Sequence, residues 1–132
     1  LRGRSRRFHL TARSAPCACF RKIVLKGSGA ASERRSLGYP LGVRPDTQYE
    51  AIEAQLHEGD YLVLYSDGIP ETINPSEEMF GYDRTIETVR EACTEGISAE
   101  DLVERLMSKA REFAGEEPQA DDMTCVVVRV EA

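Results

Sequence analysis

The sequence has no long hydrophobic run. Its 132 residues contain no tryptophan, and no apolar stretch approaches the roughly 20 residues that a membrane-spanning helix needs. The basic start is not followed by a continuous apolar segment, so no secretory signal is recognisable. With 41% hydrophobic and 30% charged residues, the composition is ordinary for a soluble globular protein that can build one small core.

Histidine and cysteine are scarce. The histidines are His9 and His57, and Cys17 and Cys19 are separated by one residue, which is not the usual spacing of a zinc site. A Cys/His zinc site is therefore not expected. The other two cysteines lie in apolar patterns and are predicted to be core residues. This cysteine usage fits a reducing compartment, so we expect a cytoplasmic protein.

Positive charge is sparse in the body of the chain compared with negative charge. Residues 1–36 hold ten Lys or Arg and one acid, whereas residues 37–132 hold seven Lys or Arg and 22 acids, within a net charge of −6. A basic arm can bind nucleic acid, but this one has no interleaved aromatic residues and no recognisable motif. The acidic body also argues against nucleic-acid binding. We expect residues 1–36 to be an atypical basic segment that is not well folded, and residues 37–132 to form the domain.

Hydrophobic patterns predict the strands. Residues 61–65 and 123–128 are continuous apolar runs and predict strongly buried strands, the first of them buried on both faces. Residues 49–56 alternate and predict a half-buried strand, and residues 20–26 could form one short strand. Residues 27–36 are rich in small residues and are predicted to be a loop.

Two helices are predicted between the apolar strands. The first has Ile86, Val89 and Cys93 on one face and Gly96 as its end. The second helix begins at a capping box whose first residue is Ser98. This helix ends at Gly115. The element order, with two helices packed on a largely antiparallel sheet, predicts the α+β class. The apolar face of the second helix comprises Leu102, Leu106, Ala110 and Phe113.

Acidic residues flank both apolar strands. Asp67 follows the first, and Asp121 and Asp122 precede the second. If the strands are antiparallel neighbours, these ends share one edge of the sheet. The carboxylates would then converge and repel, which a hard divalent cation such as Mg²⁺ or Mn²⁺ relieves. Taken alone, the spacing favours a plainer explanation, because Asp-Gly turns are common and acids often keep strand ends in water.

Several motifs in order resemble the SpoIIE and RsbU phosphatases, bacterial relatives of the type 2C metal-dependent protein phosphatases. The resemblance covers residues 37–132. The motifs are GYPLGV at 38–43, LHEGDYLVLYSDGI at 56–69, Pro70-Glu71, Asn74, Met79-Phe80-Gly81 with Arg84, and QADDMT at 119–124.

The resemblance implies a sandwich of two antiparallel sheets flanked by helices, with two Mn²⁺ or Mg²⁺ ions at one end. It implies that Asp67 is a metal ligand, shared between the ions, and that Asp121 is the other. We expect Asp122 to orient the ligands. The carboxylates of Asp67 and Asp121 should lie close enough to share ions about 3.5–4 Å apart.

Three departures from the family stand out. No Gly-Asp motif, the source of the central bridging acid, precedes residue 37, and the expected Asn-Ala-Gly-His-type strand is unrecognisable at residues 8–20. Glu77 stands where a glycine is expected. Residues 1–36 are explained either by a frame-shifted or mis-started reading or by ordinary divergence. In either case we expect residues 1–19 to lack regular structure.

The resemblance implies hydrolysis of phosphoserine or phosphothreonine on a regulatory protein, such as an anti-sigma factor antagonist, and so a part in signal transduction and sigma factor regulation. Because the bridging acid is missing, we expect the chain to be an incomplete fragment of the catalytic domain, inactive alone. The alternative is a degenerate phosphatase fold that only binds a partner. The acids Asp67 and Asp121 favour the enzyme.

Overall fold

The computed structural model describes residues 6–8, 20–25, 31–35, 45–46 and 54–131. The elements in these residues are, in chain order, β1 (Arg6–Phe8), β2 (Phe20–Leu25), β3 (Ala31–Arg35), β4 (Ala54–Leu56), β5 (Tyr61–Ser66), α1 (Gly81–Glu95), α2 (Ala99–Ala114) and β6 (Cys125–Arg129).

Four strands form the main sheet, in the order β3-β2-β5-β6, and every neighbouring pair is antiparallel. The short strands β1 and β4 pair separately, also antiparallel. In the main sheet Tyr65 faces Cys125, so the C-terminal end of β5 lies beside the N-terminal end of β6. This confirms the predicted α+β fold with two helices and an antiparallel sheet.

Strand β5 is buried on both faces, as its continuous apolar sequence predicted. Because side chains alternate along a strand, its residues divide between two clusters. One face packs against both helices, and the opposite face meets Leu56 and Val130. The residues of the first face are Tyr61, Val63 and Tyr65, and those of the second include Leu62 and Leu64.

Strand β6 is less buried than its apolar sequence predicted. It begins at Cys125 rather than at residue 123, and its exposure alternates. Cys125 and Val127 pack against the helix-side core, whereas Val126 and Val128 are 47% and 39% exposed. The prediction that this strand is strongly buried is therefore wrong for one of its faces. The reason is what packs on each face: the helix-side core covers Cys125 and Val127, whereas among the described residues neither apolar cluster includes Val126 or Val128.

Both helices lie where the sequence places them. Helix α1 ends at Gly96, whose φ of 71° is in the left-handed region that glycine adopts without steric cost. Helix α2 begins after Ser98, whose side chain accepts a hydrogen bond from the amide of Asp101. Arg105 donates to both carboxylate oxygens of Glu95 at 2.8 and 2.7 Å, which links the two helices. Neither helix is long and apolar enough to cross a membrane.

The N-terminal strands differ from the sequence prediction. The loop predicted at residues 27–36 contains strand β3, and residues 6–8, within the segment predicted to be irregular, form β1. Neither strand has an apolar alternation, and each exists through pairing with another strand. The other residues of 1–19 lie outside the described part of the chain. The domain boundary at residue 36 stays a prediction, although β2 pairs with β5 across it.

The loop between β5 and α1 is organised by Asn74. Its side-chain oxygen accepts from the amides of Ser76 and Glu78 at 3.0 and 2.9 Å, and Ile73 forms an isolated bridge with Met79. Within this loop Glu77 has a φ of 61°. The family's expected glycine would hold this left-handed conformation with less strain.

Replacing Ser98 with alanine should lower the free energy of unfolding by about 1 kcal/mol, because the amide of Asp101 loses its acceptor at 3.0 Å. Urea unfolding measures the effect. Ser108→Ala, in the middle of the same helix, is the control and should be neutral or slightly stabilising, since alanine is the better helix former. Equal losses in the two variants would contradict the cap.

Replacing Glu77 with glycine should raise the free energy of unfolding by about 0.5–1 kcal/mol, because relief of the left-handed strain exceeds the added flexibility of the unfolded chain. Glu78→Gly, next to it and outside the left-handed region, should instead be destabilising. Thermal unfolding compares the two. The same sign for both changes would refute this account of the loop.

Candidate active site

The ends of β5 and β6 are joined beyond their regular pairing. The amide of Ser66 donates to the carbonyl oxygen of Thr124 at 2.9 Å. The hydroxyl of Ser66 donates to the carbonyl oxygen of Asp122 and accepts from the amide of Thr124, both at 2.9 Å. One buried serine therefore holds the segment before β6 against the end of β5.

Gly68 brings the two segments into backbone contact. A Cβ atom at this position would lie 2.4 Å from the carbonyl oxygen of Asp122 and 3.2 Å from that of Asp121. The first distance is far shorter than any tolerated contact and the second is tight, and both neighbours are backbone atoms that cannot rotate away. Glycine is therefore required here for close approach.

Hydrogen bonds from the residues that follow it hold the turn after β5 in place. The carbonyl oxygen of Asp67 accepts from the amide of Glu71 at 2.9 Å. The hydroxyl of Thr72, a buried residue, donates to the carbonyl oxygen of Gly68 at 2.8 Å and lies 3.9 Å from the sulfur of Met123. Thr72 thus ties the turn that carries Asp67 to the segment that carries the other acids.

The predicted site acids lie on these two segments. Asp67 is half-buried, and Asp121 and Asp122 are exposed. The Oδ1 atom of Asp121 accepts from the amide of Asp122 at 2.8 Å, and the side-chain amide of Gln119 donates to the carbonyl oxygen of Asp121 at 2.7 Å. The backbone contacts between these two segments thus place the acids at one edge of the sheet.

The chemical type of the residues present fits a hard divalent cation, but their number meets only part of what such a site needs. The three carboxylates match the oxygen ligands that Mg²⁺ and Mn²⁺ prefer. Among the described residues, however, no three His, Cys, Asp or Glu side chains cluster closely enough to hold an ion. The assignment of Asp67 and Asp121 as ligands, with Asp122 behind them, stays a prediction.

Sequence reasoning missed the residues that organise this edge. It singled out the acids but gave no role to Ser66, Gly68, Thr72 or Gln119. Ser66 and Gly68 flank Asp67 in a Ser-Asp-Gly run whose signal was visible, yet their function depends on a segment more than 50 residues away. That pairing cannot be derived from local spacing.

The described cysteines are unsuited to nucleophilic catalysis. Burial raises the pKa of the Cys93 thiol to about 12 and that of Cys125 to about 11. A thiol attacks phosphorus as the thiolate, and at neutral pH these two remain protonated. Both pack against the core rather than lining a phosphate-binding loop.

Comparison with solved structures defines the class of fold. The chain superposes on the SiaA-PP2C domain of Pseudomonas aeruginosa with a TM-score of 0.71 and 21% identity, covering 85% of this chain and 43% of that one. It superposes on the PP2C phosphatase domain of SpoIIE from Bacillus subtilis, solved with a fragment of its regulatory domain, with a TM-score of 0.66 and 22% identity, covering 86% and 32%. The fold is therefore a partial PP2C phosphatase fold.

The sequence places the chain within one family of that class. The family model described as Stage II sporulation protein E (SpoIIE) matches residues 15–131, and the chain belongs to this family. Protein IcfG of Synechocystis sp. is 27% identical over 67 residues, which cover 51% of this chain and 11% of that protein. The chain thus spans less than half the length of each of these relatives.

Replacing Gly68 with alanine should destabilise the protein by about 1–3 kcal/mol, because the new methyl group forces β5 and the segment before β6 apart. Gly96→Ala is the matched control. It has open space around it, so its cost is limited to left-handed strain of about 1 kcal/mol.

Amide hydrogen exchange separates these two causes. In Gly68→Ala the Thr124 amide, which is bonded to the Ser66 hydroxyl, should exchange faster relative to the core, and in Gly96→Ala it should not. Unchanged Thr124 protection in Gly68→Ala would show that the close approach is absent in solution.

Proposed function

We propose that this chain is the C-terminal part of a metal-dependent serine/threonine protein phosphatase. The observation that carries the proposal is the junction at Ser66 and Gly68, which holds the segment of Asp67 against the segment of Asp121 and Asp122. Membership of the SpoIIE family and the PP2C fold support it. An acid-lined edge fixed by backbone contacts is suited to binding cations rather than to packing.

In this proposal Asp67 and Asp121 bind Mn²⁺ or Mg²⁺, and Asp122 orients them. When bound, a pair of such ions supplies a hydroxide nucleophile and shields the phosphoryl oxygens during in-line displacement. The protein's own contribution is position. The hydrogen bond from Asp122 to the Oδ1 atom of Asp121 and the Thr72 contact to Gly68 restrict both segments that carry the ligands. No phosphorylated enzyme intermediate is required.

The proposed substrate is phosphoserine or phosphothreonine on a regulatory protein, such as an anti-sigma factor antagonist, in the cytoplasm. Dephosphorylation of such an antagonist would alter the release of a sigma factor and hence transcription. The support for this finer assignment is the resemblance of the motifs at 38–43, 56–69 and 119–124 to the SpoIIE and RsbU phosphatases.

A non-catalytic binding module is the second candidate. It is favoured by a specific observation: the described residues contain no cluster of three potential ligands. An ion held by few carboxylates keeps more of its water and binds weakly, Mg²⁺ above all, because it dehydrates reluctantly. The two candidates differ in whether adding the acid of the Gly-Asp motif restores hydrolysis.

The 132-residue chain alone should show little or no Mn²⁺-dependent phosphatase activity. Without the bridging acid the attacking group is not held in place, and misplacing it by about 1 Å lowers the rate on the order of a hundredfold. A longer in-frame protein that supplies the Gly-Asp motif should hydrolyse a phosphoserine protein and lose this activity in chelator. Phosphate release measures both. Robust, chelator-sensitive turnover by the chain alone would show that its site is already sufficient.

In the longer protein, Asp67→Asn and Asp121→Asn should each abolish turnover, because the amide removes ligand charge without changing shape. Asp83→Asn, an exposed acid in the first turn of α1, is the matched control and should keep full activity. Full activity in Asp67→Asn would overturn the metal mechanism and leave the binding module as the better explanation.

A further inference from the structure

A groove lies directly beside the acidic edge. It has a volume of about 100 Å³ and runs between the turn after β5, the end of α2 and the segment before β6. Ala120 and Met123, which line it, bracket the two acids of that segment. Thr72, which also lines the groove, is bonded to Gly68 next to Asp67. The groove therefore shares its walls with both halves of the candidate active site.

The groove continues into an exposed apolar rim. Ile73 lines the groove and forms an antiparallel bridge with Met79. Residues opposite each other in such a bridge project to the same side, so Met79 lies beside Ile73. Met79 is 59% exposed, the most exposed large hydrophobic side chain among the described residues. Methionine is enriched where proteins contact partners, because its flexible chain adapts to different surfaces.

Arg111 supplies positive charge to the groove. It is exposed, it lines the wall at the end of α2, and no ion pair joins it to a described carboxylate. Glu117 is the other charged lining residue. In a body where acids outnumber Lys and Arg, with carboxylates along the neighbouring edge, the Arg111 guanidinium can attract an anionic group to the groove.

We propose that this groove binds the segment of the substrate protein that flanks its phosphoserine, with an acidic substrate side chain at Arg111 and an apolar one against Ile73 and Met79. The proposal rests on the proposed function, since it places the phosphoserine at the acidic edge. An extended chain advances about 3.3 Å per residue, so a groove that adjoins this edge receives residues only a few positions away. Arg111 is thus a specificity residue rather than a catalytic one.

Binding of short peptides to the 132-residue chain tests the groove. Each labelled peptide carries one phosphoserine and one glutamate, with the glutamate moved through successive positions on both sides, and a matched set carries lysine instead. Fluorescence anisotropy in the presence of Mn²⁺ gives the Kd. When the glutamate is at the right distance from the phosphoserine, on one side of it, the glutamate peptide should bind about fivefold more tightly than the matched lysine peptide. An exposed ion pair worth up to about 1 kcal/mol predicts this difference.

Charge reversal gives the decisive comparison. Arg111→Glu should reverse the preference, so that the lysine peptide binds more tightly at the same position. Lys109→Glu makes the same change of charge on the same helix at an exposed position outside the groove, and it should leave the preference intact. Met79→Ser should weaken both peptide sets about threefold without altering the preference, because it removes only apolar contact.

Two results would overturn the proposal. One is a peptide preference that is absent or is the same in wild type and Arg111→Glu. The other is an equal effect of Lys109→Glu, which would show that the overall surface charge, rather than a site at Arg111, determines the peptide preference. Circular dichroism of each variant excludes unfolding as the cause of lost binding.

Hydrolysis of p-nitrophenyl phosphate by the longer protein separates this proposal from the proposed function. That substrate has no flanking peptide, so Arg111→Glu should change its kcat/KM no more than Lys109→Glu does. Charge-selective peptide binding without Mn²⁺-dependent hydrolysis by the longer protein would refute the phosphatase and support the groove. A larger fall in p-nitrophenyl phosphate turnover in Arg111→Glu than in Lys109→Glu would instead place Arg111 in the metal centre and refute its role in the groove.

Discussion

The close approach of Gly68 to the backbone of Asp122 is the constraint on which the candidate site depends. The Ser66 hydroxyl bonds to the segment before β6 in two directions, as donor to Asp122 and as acceptor from Thr124. A polar group in a buried position is costly unless it is paired, and this one is paired on both sides. The junction therefore tolerates little change in the side chains that form it. It positions the acids that the two segments carry.

The rigidity of this junction comes from β5. The strand has neighbours on both edges and apolar clusters on both faces, so its C-terminal end cannot shift without disturbing the core. Helices α1 and α2 cover one of those faces and are linked to each other by Arg105 and Glu95. Asp67, at the end of a strand buried on both faces, is thus on a well-fixed part of the described fold, whereas Asp121 and Asp122 lie on a segment held mainly by Ser66, Thr72 and Gln119.

Sequence reasoning succeeded where local pattern decides the structure. The continuous run of β5 and the helical spacing of α1 and α2 gave their type and approximate bounds, and Ser98 and Gly96 gave their ends. It failed where a neighbour decides: β3 has no apolar alternation and is formed by pairing with β2, and β6 is half-exposed because the described clusters cover only its helix-side face. At the site, the strand order predicted that the acids share one edge of the sheet, but the role of Ser66 required knowing that residues 66 and 122 meet.

Local order at the acidic edge and catalytic competence are separable properties of this chain. Among the described residues, the contacts that position the acids involve residues 66–72 and 119–124, together with the two strands that lead into them. No Gly-Asp motif stands in residues 1–36, whose described part supports these contacts through the pairing of β2 with β5. A chain can therefore hold this edge in place and still lack a full set of ligands. The groove at Arg111 is built from the same local contacts, so binding of a phosphorylated segment does not require the chemistry that would follow it.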